Sequence, residues 1–600
     1  MKLKNLAKLS TFLGLLVAVN ILLGEESQLA VDAPTVNPLF DVSPAQPEMA
    51  SPTANVTVNL LQLMVTKKLI TAEEAQALIV QAHAEAEQIK AAQQSAAPPP
   101  SSLPGDMRVT YVPEIVKNQL RDEIKQELIA DQKWMDRKFK GAGSFPDWVS
   151  RWEPFGDIRL RYEYDSFPTG NANTGSFPNF NAINTGSPYD VSGTVFSPQY
   201  NVDQDRERVR LRLRLGTDIN LDDGFSAGIR IGTGESNSPV SSNQSLGAAN
   251  QGQGGNFSKY AIWLDRAFLK YETGTDLDNS VALLFGRFDN PFYSTTMIWS
   301  EDIGFDGFAI KGRHSVADGV VPFFTAGLFP VFNTDLNFSS NSPTKFKSTD
   351  KWLYAAQVGV DWKVTEKIQA KGAVAYYHFD GVEGKPSTPY VPLSSDDASD
   401  TDDTRPAFAQ KGNTYRAIRQ IIPSAFNNYG TTNQYQYFGL ATPFHELAYD
   451  FQIDFNHFEP VQISLIGEYV TNLAFDSAKI NGYAVNNRGE GDLVTGLPGP
   501  FEGDNSAWNL ALRVGKAKFE KAGDWQATFG YRRVGSDAVV DGFTDQDFGG
   551  GGTNVEGFTI GASVAVSPRV RLGLRWMSAN EVAGPPLKSD IIQFDLQAKF

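Results

Sequence analysis

The 600-residue chain contains no cysteine and only five histidines. The absence of cysteine excludes a disulfide framework and a thiolate metal site. The histidines show neither an HExxH motif nor a paired metal-ligand spacing, so we predict no metal, no other cofactor and no enzymatic activity. The net charge of -16 argues against nucleic acid as a partner. No uninterrupted apolar run reaches the length of a membrane-spanning helix, so transmembrane helices are not predicted.

The first 33 residues are predicted to be a secretory signal peptide. Lys2, Lys4 and Lys8 form a basic start, and Thr11 to Leu23 is an apolar segment of 13 residues. A membrane anchor is the alternative, but it would need about 20 apolar residues to span a bilayer. The chain is therefore predicted to be exported.

Residues 34–142 have the composition of helices and linkers. The segments are linkers at 34–54 and 96–110, a helical hairpin at 55–95 and an amphipathic helix at 111–142. One apolar stripe runs along the last helix and consists of Val116, Leu120, Ile124 and Leu128. Such a stripe needs a partner. A short coiled coil between copies of the chain would supply one, and so would packing against the hairpin or the rim of the following domain.

From residue 150 to residue 600 the hydrophobic period changes to two, which is typical of strands with one apolar and one polar face. We count sixteen candidate strands, centred near residues 159, 211, 229, 266, 284, 307, 326, 357, 373, 452, 465, 512, 529, 561, 573 and 596. Short turns alternate with long loops, of which 165–203 and 380–440 are the longest. This pattern predicts an all-β fold: a transmembrane antiparallel β-barrel of about 16 strands, preceded by an α-helical periplasmic region. A large soluble β domain is the alternative.

One candidate strand, Arg206 to Leu215, places five arginines on one face. Arginine facing lipid costs roughly 2–4 kcal/mol, so this face must meet water inside the barrel. The predicted basic lining consists of Arg159, Arg161, Arg206, Arg208, Arg210, Arg212, Arg214 and Arg230. The predicted acidic counterpart, on a connection that could fold inward, consists of Asp289, Glu301, Asp302 and Asp306. The alternatives are a charge ladder that only keeps the lumen wet, and a surface loop held by its own turns.

Several segments together resemble the putative porin family of bacterial envelopes. They are residues 60–86, 111–117, 155–162, 206–214, 239–247 and 286–292. The resemblance covers nearly all of the exported chain and implies an outer-membrane channel that is oligomeric. It names no substrate and carries over no catalytic residues. The C-terminal Phe600 also resembles the recognition signal of the machinery that inserts outer-membrane barrels.

These observations predict a porin that lets small hydrophilic solutes and ions diffuse passively through a water-filled barrel, with a slight preference for anions. The expected partners are outer-membrane lipid and lipopolysaccharide, two further copies in a homotrimer, and the barrel assembly machinery during insertion. Peptidoglycan is a further expected partner, through the N-terminal region. Two alternatives use other parts of the chain: a structural protein linking the outer membrane to peptidoglycan or a surface layer, and a surface receptor or adhesin.

Overall fold

A computed structural model describes residues 149–193, 197–248, 254–276, 278–334, 348–492, 494–495 and 497–600. The predicted signal peptide, both linkers, the helical hairpin and the amphipathic helix lie outside the described residues. Within them, the strands of the barrel are β1 (Trp152–Ser166), β2 (Arg206–Asn220), β3 (Phe225–Thr233), β4 (Ile262–Asp276), β5 (Asn279–Asp289), β6 (Gly304–Arg313), β7 (Val320–Phe332), β8 (Lys351–Thr365), β9 (Ile368–Asp380), β10 (Phe444–Phe458), β11 (Val461–Asn472), β12 (Ser506–Gly515), β13 (Trp525–Val534), β14 (Val555–Ser567), β15 (Val570–Glu581) and β16 (Lys588–Lys599).

Each strand pairs antiparallel with the strand that follows it in the chain, and the sheet closes on itself. The closing seam joins β1 to β16, from Asp157 opposite Lys599 to Ser166 opposite Asp590. Every predicted strand centre falls inside one of these strands. The predicted sixteen-stranded antiparallel barrel is therefore confirmed, and closure leaves no unpaired edge.

The two ends of the barrel differ in their connections. One end carries tight turns, such as the β2–β3 hairpin, where Asp222, Asp223 and Gly224 have φ angles of 64°, 50° and 85°. Asp and Gly tolerate this left-handed conformation, which matches the twist of a two-stranded ribbon. The other end carries the long connections, among them 290–303, 381–443 and 535–554. We call 290–303 the inward loop.

The alternation of side chains decides which face meets lipid. Outward positions such as Leu160, Ile229 and Leu510 are apolar and 41%, 44% and 45% exposed. A soluble protein would bury this many apolar side chains, but a bilayer accepts them. None of the described helices, which include α1 (Phe180–Thr185) and α2 (Ser477–Asn481), is long and apolar enough to cross a bilayer.

Long connections fold into the barrel and form an apolar core with its inner wall. Trp299 and Phe292 of the inward loop pack edge-to-face on Tyr377 of β9, with ring centroids 5.3 Å apart in each pair. Phe543 of loop 535–554 stacks on Phe379, 6.0 Å away. Loop 381–443 adds a small two-stranded sheet, Tyr415–Ala417 with Phe438–Leu440. We call this cluster the mouth core, because it lies at the end with the long connections.

Candidate functional site

Charged side chains of β1 and β2 lie in cross-strand rows on the inner face of the barrel. The register places Arg214 opposite Asp157, Arg212 opposite Arg159, Arg210 opposite Arg161, Arg208 opposite Glu163 and Arg206 opposite Asp165. Adjacent strands lie about 4.8 Å apart, so side chains in one row are direct neighbours. Seven of the eight predicted basic residues therefore belong to one structure, which we call the arginine ladder.

Carboxylates of β1 supply the partners that a row of arginines requires. Asp157 accepts hydrogen bonds from Arg212 at 2.8 Å and from Arg214 at 2.6 Å. Glu163 pairs with Arg208 and, at 3.2 Å, with Arg210. Asp165 pairs with Arg206 at 3.1 Å and with Arg208 at 3.0 Å. These ion pairs offset the repulsion between the arginines. Without them, so many like charges could not be buried side by side.

The inward loop brings one predicted acidic residue to the ladder. Asp302 accepts hydrogen bonds from Arg212 and Arg214, each at 3.3 Å, and from the backbone N–H of Ser242 at 3.0 Å. The side chain of Asp302 is only 6% exposed, so this contact holds the loop against the wall. The inward loop therefore crosses the interior of the barrel and reaches β2.

The other predicted acidic residues lie elsewhere. Asp289 bridges Arg230 at 2.8 Å and Arg266 at 2.7 Å. Asp306 pairs with Arg287 at 2.8 Å, so it does not face the ladder. Glu301 is exposed. Of the four acids, Asp302 thus contacts the arginine ladder and Asp289 contacts Arg230, the eighth predicted basic residue. Asp306 is held beside Arg287, which is not one of the predicted arginines.

Loop 535–554 also contributes to the site, although little in the sequence predicts that it does. Asp547 pairs with Arg161 at 2.7 Å and also with Arg575 of β15. Burial alone would raise the pKa of Asp547, but Arg161 and Arg575 outweigh it and hold that pKa well below its usual range. Asp595 of β16 completes the cluster, 2.7 Å from Arg161. In the sequence, the only feature that marks Asp547 is its position two residues before a run of glycines.

The glycine run itself, Gly549 to Gly552, is packed rather than a flexible loop tip. Its φ angles lie between 61° and 91°, a region that favours glycine. A Cβ on Gly552 would lie 1.8 Å from the carbonyl oxygen of Lys411. These glycines let the chain turn sharply beside loop 381–443, and this turn places Asp547 against the ladder.

The wall on the other side of the barrel is acidic and dry. Asp450 and Glu468 are register partners on β10 and β11. Glu446, Asp450 and Glu468 are 1%, 4% and 2% exposed. The backbone N–H of Val540 donates to Glu446, and that of Thr295 to Glu468, each at 3.1 Å. The inner wall is therefore uneven in charge, with arginines on one side and buried acids on the other.

Two cavities flank the inward loop. One, of about 420 Å³, is bounded by residues of the ladder, the inward loop and β12–β16. The other, of about 810 Å³, lies against β4–β9 and is lined by charges that include Lys270, Lys311 and Lys371. Both cavities therefore have room for water and ions beside fixed charges. No cluster of metal-ligating side chains occurs among the residues that the structure describes.

The C-terminal Phe600 lies at the end with the tight turns. Its backbone N–H and carbonyl oxygen exchange hydrogen bonds with Gly156, at 3.0 Å and 2.9 Å. Its ring covers Gly156 so closely that a Cβ there would lie 2.6 Å from it. The last residue is thus part of the closing seam, and its role in insertion stays a prediction.

Comparisons with known proteins give one family match. The family model described as putative porin matches residues 54–600. No curated protein matches the chain. Among solved structures, the outer membrane channel DcaP of Acinetobacter baumannii is 12% identical with a TM-score of 0.34, over 75% of this chain and 97% of that chain. OprB of Pseudomonas putida is 11% identical with a TM-score of 0.38, over 75% and 95%.

Proposed function

Because the chain belongs to the putative porin family and forms an outer-membrane channel, we propose that small hydrophilic solutes and ions diffuse through it passively, with a preference for anions. The observation that carries this proposal is the uneven inner wall. The acids Glu446, Asp450 and Glu468 are buried, whereas the exposed Arg571 lines the cavity of about 420 Å³, where arginines outnumber acids by one. Fixed charge next to the permeating path sets the selectivity of wide pores.

The gradient of the solute supplies the driving force, so this function requires neither a cofactor nor a catalytic residue. Ion-paired arginines keep the wall hydrated and rigid, and only arginines without a carboxylate partner bias the permeating ions. Arg571 is of this kind, since its side-chain hydrogen bonds go to Gln597. The net charge of the chain is negative, but it is the local charge that acts on an ion in the lumen.

The test is single-channel current of the purified full-length protein in a planar bilayer under a potassium chloride gradient. We expect stepwise conductance and a reversal potential with the sign of chloride preference. A reversal potential of the opposite sign would contradict the anion preference and leave the channel intact. Absence of steps from protein that circular dichroism shows to be folded would contradict passive diffusion itself.

The remaining partners are proposed on chemical grounds. The apolar outer face fits outer-membrane lipid, and its flanks fit lipopolysaccharide. A homotrimer would bury part of this face, and the C-terminal Phe600 fits recognition by the barrel assembly machinery. Contact of a periplasmic N-terminal region with peptidoglycan is tested by deleting residues 34–140, which should abolish cell-wall association and leave conductance unchanged.

A further inference from the structure

One cross-strand row of the inner wall contains no carboxylate. Four neighbouring strands contribute Arg212, Arg159, Gln597 and Arg571, which are successive register partners on β2, β1, β16 and β15. The rows on either side contain Asp157 and Asp595. Because strands lie about 4.8 Å apart, the Cα atoms of Arg159 and Arg571 are separated by about 10 Å. Two long guanidinium side chains can therefore meet above the glutamine between them.

The two adjacent arginines of this row, on β2 and β1, differ in how their charges are balanced. Arg212 is balanced by Asp157 at 2.8 Å and by Asp302 at 3.3 Å. Arg159 donates to the side-chain oxygen of Asn243 at 2.7 Å. Its Nε has no hydrogen-bond partner, although the residue is only 9% exposed. No carboxylate of the described residues forms an ion pair with Arg159, so its charge is buried and uncompensated by contact.

Arg571 and Gln597 complete a set of donors. Nε of Arg571 donates to Oε1 of Gln597 at 2.8 Å, and a second guanidinium nitrogen donates to the same oxygen. Because that oxygen faces Arg571, the NH₂ group of Gln597 remains available as a donor. Arg571 is exposed and, within the described part of the chain, likewise forms no ion pair. All three side chains line the cavity of about 420 Å³.

The charges of the whole cavity agree with an anionic occupant. The charged residues that line it are Arg159, Arg161, Arg212, Arg532, Arg571 and Arg575, together with Glu301, Asp302, Asp545, Asp547 and Asp595. Four of these acids are ion-paired with arginines, and Glu301 is the fifth. The lining therefore carries an excess of one positive charge, and the carboxylate-free row is where that excess lies.

We propose that Arg159, Arg571 and Gln597 form a binding subsite for small oxyanions, that is, for phosphate or carboxylate groups. This proposal rests on the proposed function and names the solute class that the channel favours. Guanidinium groups bind two oxygens of such a group at once, and the glutamine amide can donate to a third. A carboxylate in this row would repel the anion, and its absence distinguishes this row from its neighbours. Binding in a conducting path must be weak enough to allow release.

The test is block of the potassium chloride current by added inorganic phosphate and, in a separate arm, by succinate. The purified full-length protein is compared with the double variant R159Q/R571Q. R513Q is the matched control, since Arg513 also faces the lumen and donates only to Ser464. We expect both anions to block the wild type, and the half-blocking concentration to rise about tenfold or more in the double variant. R513Q should stay within about twofold of the wild type.

Calorimetric titration of phosphate into the detergent-solubilised protein gives a second measurement that needs no open pore. Heat of binding in the wild type that R159Q/R571Q loses and R513Q retains supports the subsite even if the protein fails to conduct. Equal loss in R513Q would reduce the effect to overall charge and overturn the proposal. Absence of both block and binding heat in the wild type would overturn it as well. Circular dichroism of each variant checks that the barrel has folded.

Discussion

At the scale of single residues, the inner wall depends on charged side chains that each form ion pairs with two partners at once. Arg161 is 3% exposed and holds Asp547 of loop 535–554 and Asp595 of β16 at the same time, at 2.7 Å each. Removing one member of such a group leaves buried charges without a partner, which costs more than the group contributes as a whole. Arg161 therefore connects a loop to the closing seam.

Arg161→Met should lower the free energy of unfolding by about 3–5 kcal/mol, because Asp595 loses its ion-pair partner and Asp547 retains only Arg575. Urea titration of the barrel refolded in lipid vesicles measures this change. Arg513→Met is the control and should cost less than about 1 kcal/mol, since Arg513 makes one long hydrogen bond of 3.4 Å. Equal losses in the two variants would contradict the special role of Arg161.

A second residue-scale prediction concerns two buried acids of the mouth core. Burial raises the pKa of Asp541 to about 7 and that of Asp537 to about 6, even though Tyr415 and Thr414 donate to them. Because the pKa values of both acids in the folded protein lie above the unfolded value of 3.8, the folded loop binds protons more tightly than the unfolded chain does. Its stability is therefore greatest at low pH and falls as the pH rises from about 4 to about 7.

Hydrogen exchange of residues 535–554 should accordingly be slower at pH 5 than at pH 8, after correction for the intrinsic rate. Asp541→Asn imitates the protonated side chain. It should reduce the difference between the two pH values, expressed as a free energy of local opening, by an amount of the order of a few kcal/mol. Asp524→Asn, in a turn at the other end of the barrel, serves as the control. The assignment fails if Asp541→Asn retains the full pH dependence.

At the scale of strands and loops, the sequence allowed all sixteen strands to be placed but not the paths of the loops. Alternation such as that of Ile158 and Leu160 with Arg159 and Arg161 is local, and a shift by one residue would turn every arginine to the lipid. The contact of Asp302 with Arg212 joins residues 90 positions apart. No local pattern specifies such a contact. Asp547 reaches the ladder beside a glycine turn in which Gly551 and Gly552 pack against loop 381–443. A run of glycines does not specify which segment packs against it.

Gly552→Ala should move loop 535–554, because the new Cβ would collide with the carbonyl oxygen of Lys411. We expect the pairs of Asp547 with Arg161 and Arg575 to weaken and the single-channel conductance to rise. Gly550→Ala is a matched control, since Gly550 also has a positive φ but a Cβ there would lie 3.9 Å from its nearest neighbour. Gly550→Ala therefore shows the effect of placing alanine at a positive φ, a strain of about 1–2 kcal/mol, without the collision. Identical conductance in the two variants would show that the collision is unimportant.

At the scale of the whole molecule, the barrel is closed by one seam between its first and last strands, β1 and β16. β16 pairs with β1 along ten residue pairs, and Phe600 extends the pairing to Gly156. The ring of Phe600 is 54% exposed, so it contributes little burial to the folded barrel. We therefore predict that the identity of this residue matters to assembly more than to the finished structure.

Phe600→Ala should change the free energy of unfolding of purified barrel by less than about 1 kcal/mol, because the backbone bonds to Gly156 remain. The same variant should sharply reduce the amount of protein recovered in the outer membrane. Quantitative immunoblotting of membrane fractions measures this, with Phe458→Ala, an exposed aromatic at a tight turn, as the control. Normal recovery of Phe600→Ala would contradict the insertion signal.

The mouth core also determines what calorimetry can detect. The outer face of the barrel stays in contact with detergent or lipid after unfolding, so its exposure adds little hydration. The mouth core, with Trp299, Tyr377 and Phe379 at most 4% exposed, is the part whose aromatic rings pass from protein into water. Apolar hydration is the source of the heat-capacity increment of unfolding. The increment per residue should therefore be far below that of a soluble protein of this length, and most of it should come from the mouth core rather than from the lipid-facing side of the strands.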